Sequence, residues 1–385
     1  MGLLATSSEA RAPVTVDLRQ HKHSNPDVVT HVLQAVDKHS GGVPGLAITS
    51  ETHGYALRYS ICPLYWYGNF KVGESDELSL IIDTGSPDLG INPGVYKPSS
   101  QSQKLNKTGY FKYEGCGLTG FQYEAYATVS FAGLQATNQT FGNVVKSSAA
   151  TPATETEYSH HGIAGFMGRF SGDTQLGGVP FFLQLCNQGA VEECRFGLAY
   201  GTYGVGKQVL GGLDNSLYEG PLSEATYFNI TTEVGIVYDA RDGKTQDMKP
   251  DLIVFDSGSP SVVGLIDQVK ELFDGLGIES VSQTAKGGEE GDRKFLSGFY
   301  PCDSPPKVGF TIGGKSIFIE PSAFKLWDNG SNKCTASIAG MDMGTGPSLW
   351  LAGQNWFQGK YVDFDQGKGS SGVATLKDKT MALSS

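Results

Sequence analysis

Three apolar residues, Leu80-Ile81-Ile82, run without a polar break into Asp83-Thr84-Gly85-Ser86-Pro87, and the pattern returns as Ile253-Val254-Phe255 before Asp256-Ser257-Gly258-Ser259-Pro260. A short apolar run bounded by turn residues predicts a buried strand, and glycine two places past each Asp permits a tight turn that other residues resist. Each Asp is therefore expected at the tip of a strand, in a nearly identical loop. Strict alternation from Phe121 to Phe131, after a glycine-rich stretch ending at Gly120, predicts a hairpin over about 111–131. Asn25-Pro26-Asp27 followed by Val28, Val29, Val32, Leu33 and Val36 predicts a capped amphipathic helix, and a second helix is expected over Leu265–Leu276.

Two glycine-rich matches to nucleotide-binding patterns fail on this periodicity. Gly115-Cys116-Gly117-Leu118-Thr119-Gly120 spells a dinucleotide fingerprint, but the residues that follow alternate as a strand where the motif needs a helix. Gly309 to Ser316 spells a phosphate-binding loop, yet Ile317-Phe318-Ile319 and Pro321 follow, which predicts a strand leaving a Gly-Gly hairpin.

Composition narrows the class further. The 385 residues suggest roughly two to three domains, and 52 Gly with 17 Tyr and 20 Phe, with little helical periodicity, is an all-β composition. A net charge of −11 argues against nucleic acid and anionic membranes as partners. No apolar run approaches the ~18 residues of a membrane span. Six Cys without a Cys-x-x-Cys fit disulfides better than a metal site, and no cofactor or metal is expected. With acceptor sequons at Asn106, Asn138, Asn229 and Asn329 they favour an oxidising, secretory route and a glycoprotein. The opening Met1-Gly2-Leu3-Leu4-Ala5 lacks the apolar core of a signal peptide, so a removed signal is expected.

The twin loops carry the candidate chemistry. If two related halves meet at a pseudo-dyad, the two carboxylates face each other, and like charges at close range share one proton. Such a pair holds an acid and a base in one site. One carboxylate can deprotonate a water while the other donates to a carbonyl oxygen, which hydrolyses an amide without metal or covalent intermediate. Thr84 and Ser257 supply hydroxyls for the facing loop, and Ser86 and Ser259 for the carboxylates themselves. The chain thus resembles the pepsin-type aspartic endopeptidases, most in the style of secreted fungal members.

That resemblance covers roughly 60–375 and implies an all-β, bilobal fold with a central cleft. It makes Asp83 and Asp256 the catalytic dyad, with Thr84, Gly85, Ser86, Ser257, Gly258 and Ser259 supporting their loops. Tyr65 to Gly73 resembles the family's opening strand, and 111–131 its flap, with Tyr113 as the residue that closes on substrate. Gly162-Ile163-Ala164-Gly165 and Trp350-Leu351-Ala352-Gly353 resemble the elements that thread behind the two Asp loops. Val179 to Leu185, Asn187-Gln188-Gly189, Arg195 to Leu198 and Leu210 to Asp214 follow in family order as helix, turn, strand and strand. Cys302 and Cys334 match the second-lobe disulfide. Cys186 and Cys194 flank the helix-to-strand turn and are expected to pair, which leaves Cys62 and Cys116 as a third pair or two thiols.

The resemblance divides the chain into 1–50, 51–222 and 223–385: a segment placed like a prosegment, or else an N-terminal arm, then two β lobes. In the first segment Arg11, Arg19, Lys22 and Lys38 balance Glu9, Asp17, Asp27 and Asp37, so the excess negative charge belongs to the lobes. His21, Lys22 and His23 lie together there without a third ligand for a metal. Three departures stand out: Gly90 where relatives carry Trp, Glu114 where they carry Gly, and Gln354 where they carry Asp. The expected protein is a monomeric acid endopeptidase, secreted or in a vacuolar or lysosomal lumen, cutting peptides beside bulky apolar residues. The alternative is a catalytically weak binding protein on the same fold.

Overall fold

In a computed structural model, residues 12–22, 64–111, 121–131, 133–147, 161–168, 177–202, 204–226, 230–231, 234–241, 243–250, 252–285, 293–341 and 349–381 are described. The helix expected from Asn25, the flap residue Tyr113, Cys62, Cys116 and the sequon at Asn229 lie outside them.

The first half contributes β1 (Val14–Lys22), β2 (Leu64–Val72), β3 (Leu78–Asp83), β4 (Leu89–Ile91), β5 (Gln103–Phe111), β6 (Phe121–Phe131), β7 (Leu134–Ser147), β8 (Gly162–Gly165), β9 (Arg195–Tyr200) and β10 (Val205–Leu210). In β3, Leu78, Leu80 and Ile82 face a core that also takes Trp66 and Phe70 of β2. Asp83 is the last residue of β3, where the apolar run ends.

The second half adds β11 (Ser223–Thr226), β12 (Ile230–Thr231), β13 (Val234–Asp239), β14 (Thr245–Met248), β15 (Leu252–Phe255), β16 (Val262–Leu265), β17 (Glu279–Ala285), β18 (Arg293–Pro301), β19 (Val308–Ile312), β20 (Lys315–Phe318), β21 (Lys325–Asp328), β22 (Lys333–Met341), β23 (Leu349–Ala352), β24 (Lys360–Asp365) and β25 (Ser370–Thr375). Gly309 to Ser316 lies in the β19–β20 hairpin, turned at Gly313 and Gly314, both with positive φ. A strand, β6, likewise follows Gly120.

Helices are few. One spans Phe181–Asn187 and begins two residues later than the sequence suggested, because Pro180 takes an extended conformation as its cap. The residue before a proline is steered away from helix, which keeps Val179 out as well. The helix Ile266–Leu276 turns Val269, Leu272 and Phe273 into the core and ends at Gly277 in the left-handed region, a common helix stop.

The halves repeat one wiring. β3 pairs parallel with β8, β8 antiparallel with β4, and β4 parallel with β7. In the second half β15 pairs parallel with β23, β23 antiparallel with β16, and β16 parallel with β22. Each Asp loop is therefore pinned between two strands that cross behind it. A 13-stranded sheet joins the halves, in the order β11-β25-β24-β9-β10-β1-β2-β3-β8-β4-β7-β6-β5. Eight- and four-stranded sheets complete the second half. The architecture is all-β and two-lobed, and β1, from the segment before the lobes, is wedged between β10 and β2.

Among the described residues two disulfides brace it. Cys186–Cys194 ties the helix Phe181–Asn187 to the approach of β9, and Cys302–Cys334 ties the end of β18 to β22.

Candidate active site

Asp83 and Asp256 are 2% and 0% exposed, so both carboxyls need internal partners. Each finds them within its own loop. The Gly85 N–H donates to Asp83 Oδ1 at 2.9 Å, and the Ser86 hydroxyl donates to Asp83 Oδ2. The Gly258 N–H donates to Asp256 Oδ1 at 2.8 Å, and the Ser259 hydroxyl to Asp256 Oδ2. The repeat in sequence is a repeat in hydrogen bonding, atom for atom.

The loops are locked to each other one residue beyond the carboxylates. Thr84 Oγ1 donates to the Phe255 carbonyl at 2.8 Å and accepts the Ser257 N–H at 2.9 Å. Reciprocally, Ser257 Oγ donates to the Ile82 carbonyl at 2.8 Å and accepts the Thr84 N–H at 3.0 Å. Four bonds related by a local two-fold, all buried, fix the strand ends that bear Asp83 and Asp256. The threading elements act from behind. A Cβ on Gly165 would lie 2.4 Å from the Ser86 carbonyl oxygen, and one on Gly353 would lie 2.1 Å from that of Ser261, so both positions require glycine.

Two tyrosines, neither evident from the sequence as site residues, sense both carboxyls. Tyr200 of β9 is fully buried and stacks on Trp66, with ring centroids 4.3 Å apart. Its hydroxyl lies near Ser257 without ordinary hydrogen-bond geometry. Burial first, and then Asp83 and Asp256, push its ionisation far above the usual phenol range. Tyr65 of β2 is shifted the same way, by burial and then by Asp256 and Asp83. Their common influence places the two carboxyls in one electrostatic neighbourhood. The signal available in sequence was only that Tyr65 and Trp66 sit in the strand before the first Asp loop.

Gln354, one of the three departures, starts a single helical turn and supports the second loop. Its side-chain amide donates to the Ser257 carbonyl at 2.7 Å, and its backbone N–H to that of Ser259, also at 2.7 Å. Gly90 lies in β4, across from Gly142 and Ile163. β5 and β6 form an antiparallel pair up to Phe111 and Phe121, while Tyr113 and Glu114 lie outside the described residues.

Among the described residues, Cys302, Asp328 and Cys334 are close enough to suggest a metal, but both sulfurs are committed to the disulfide. The two Asp loops offer carboxyl, hydroxyl and amide groups. This is acid–base equipment.

A family description, eukaryotic aspartyl protease, matches residues 65–376. The chain is 29% identical over 312 residues to the secreted aspartyl protease 1 of Malassezia globosa, covering 80% of this chain and 73% of that one. It is 28% identical over 329 residues to an aspartic protease of Phaffia rhodozyma, covering 80% and 76%. To pepsin A of Sus scrofa it is 28% identical over 337 residues, covering 81% of each. With its two lobes and its paired Asp loops inside the matched span, the chain belongs to the eukaryotic aspartyl protease family and is an aspartic-type endopeptidase.

Proposed function

We propose that Asp83 and Asp256 are the catalytic dyad, and that the enzyme cuts extended peptides at acidic pH through a water they activate. The observation that carries this reading is the reciprocal lock of Thr84 and Ser257, which holds the two carboxyl-bearing strand ends in fixed register. Two carboxyls so held cannot both ionise cheaply, so one proton is shared over the working range. The ionised member takes a proton from water as its oxygen adds to the scissile carbonyl carbon. The protonated member donates to the carbonyl oxygen, forming a neutral gem-diol. Proton return to the amide nitrogen then breaks the C–N bond and leaves acid and amine. Ser86 and Ser259 hold the carboxyl orientations, and Gln354 holds the second loop through the Ser257 carbonyl.

The substrate lies between residues 51–222 and residues 223–385, acting as lobes, bound by its backbone with apolar pockets selecting bulky side chains beside the cut. Tyr113 closes over it. Residues 1–50 act as a prosegment, and activation then requires β1 to leave its place between β10 and β2. The protein works as a monomeric glycoprotein, secreted or delivered to a vacuolar or lysosomal lumen; the Malassezia relative is itself named as secreted.

The test is digestion of a denatured protein at pH 3 to 5, with and without a pepstatin-type inhibitor, by wild type, Asp83→Asn and Asp256→Asn. Wild type releases inhibitor-sensitive peptides and both variants fall to background. Retained cleavage in either variant would remove that residue from the dyad.

A further inference from the structure

On β2 the side chains alternate between a core face, with Trp66, Phe70 and Val72 fully buried, and an outer face, where Asn69 and Lys71 are exposed and Tyr67 is partly so. Tyr65 belongs to the outer face but is only 8% exposed. Its position explains the exception. The β2–β3 ladder ends with Tyr67 paired to Ile81, and the same register continued two residues past that pair runs Tyr65 toward Asp83 on the face they share. Asp83 in turn pairs with Gly165 of β8. The phenol is thus buried on the face of β2 that this register turns toward the first catalytic candidate, within reach of the charge of both carboxyls.

We infer that Tyr65 is a positioning residue of the dyad, its O–H donating toward the carboxyl pair and favouring the singly ionised form that begins the reaction. The inference rests on the dyad reading above. It agrees with the upward shift that both Asp256 and Asp83 add to Tyr65 beyond the effect of burial, which keeps the phenol protonated wherever the enzyme works. A neutral O–H beside carboxyls stabilises the charged member and lowers the pH at which the pair first ionises. Among the described residues Tyr200 of β9 also senses both carboxyls, and the backbone of His21 in β1 pairs with that of Tyr65.

The experiment compares the acid limb of kcat/KM for one peptide substrate in wild type, Tyr65→Phe and Asp83→Asn, each as the full chain after acid activation, with thermal melts run alongside. Tyr65→Phe keeps the ring and removes only the hydroxyl. Its acid limb is expected to move up by about half a pH unit or more, giving about a threefold loss below the optimum through kcat with KM unchanged. Replacement of Tyr65 by 3-fluorotyrosine, a stronger donor of nearly the same shape, is expected to move the limb down, and it decides the matter alone should Tyr65→Phe fail to fold. Superimposable profiles for wild type and the fluorinated protein, or a loss confined to KM, would overturn the role of Tyr65. Activity surviving in Asp83→Asn would instead overturn the dyad itself.

Discussion

The Ser257 hydroxyl makes two of the four bonds that join the Asp loops, and both of its partners are buried backbone groups. Truncation to alanine strands the Ile82 carbonyl and the Thr84 N–H in a buried site, and each orphaned group costs about 1–3 kcal/mol. Ser257→Ala is therefore expected to lower stability by about 2–4 kcal/mol in urea unfolding and to reduce kcat more than KM, whereas Ser257→Thr retains the hydroxyl and most of both. Lys360 is the opposite kind of residue, a buried cation that the chemistry does not use. It is 2% exposed, its ammonium donates to the Gln358 carbonyl, and it lies 5.5 Å from the centre of the Trp356 ring. Burial lowers its pKa to about 7, with Glu320 only partly opposing. The unfolded chain binds this proton near the ordinary lysine value, so stability falls as pH drops toward about 7 and the full penalty persists in acid. Lys360→Met is expected to raise the melting temperature most at pH 4 and least above pH 10. Equal gains at both ends would show that the charge is not the cause.

At the scale of elements, the threading strands β8 and β23 matter through what their glycines allow. Gly353 has the Ser261 and Ser259 carbonyl oxygens 2.1 and 2.6 Å from where a Cβ would stand, and those atoms belong to the loop that holds Asp256. Backbone cannot swing aside as a side chain would. Gly353→Ala is expected to cost at least ~3 kcal/mol, the upper part of the overpacking range, and to displace Asp256, so activity and stability fall together. An activity assay beside a thermal melt checks this, and a stable, fully active variant would show that the loop yields. Elements of this kind were partly legible in the sequence. The apolar runs before Asp83 and Asp256 became β3 and β15, and the Gly313-Gly314 turn became a hairpin, because those signals are local. The start of the helix at Phe181 was displaced by Pro180, also a local effect, but one that the apolar pattern alone does not weigh. The burial of Tyr65 was not legible, since nothing in its own strand distinguishes it from Tyr67.

For the whole molecule the sheet shared between the halves sets the response to pH. Arg195 of β9 grips Asp363 of β24 through Nε at 3.2 Å and Nη2 at 2.6 Å, and Glu193 and Asp365 lie on its other amino group. Burial still outweighs the guanidinium at Asp363 and raises its pKa to about 6. A carboxyl whose folded value lies above its unfolded one favours the folded state when protonated. Stability should thus rise as pH falls from about 6 toward the ordinary aspartate value, and the penalty is complete above 6. The expected gain is on the order of 2–3 kcal/mol, measurable as a higher melting temperature at pH 4 than at pH 7, with the difference reduced in Asp363→Asn. A protease stable in acid and weakened near neutrality would follow from one joint between its halves.

The sequence by itself determined the twin loops, their strands and the residue types around each carboxyl, because an apolar run, a glycine and a hydroxyl three residues past an Asp act over a few bonds. Only the tertiary structure decided that Thr84 and Ser257 exchange hydrogen bonds, that Gln354 holds the Ser257 carbonyl, and that Tyr65 is buried within reach of both carboxyls' charge. Those relations join atoms far apart along the chain, and no local preference encodes them. They exist because two similar sheets bury their apolar faces at once, and the strand ends that carry the acids are brought together by that packing.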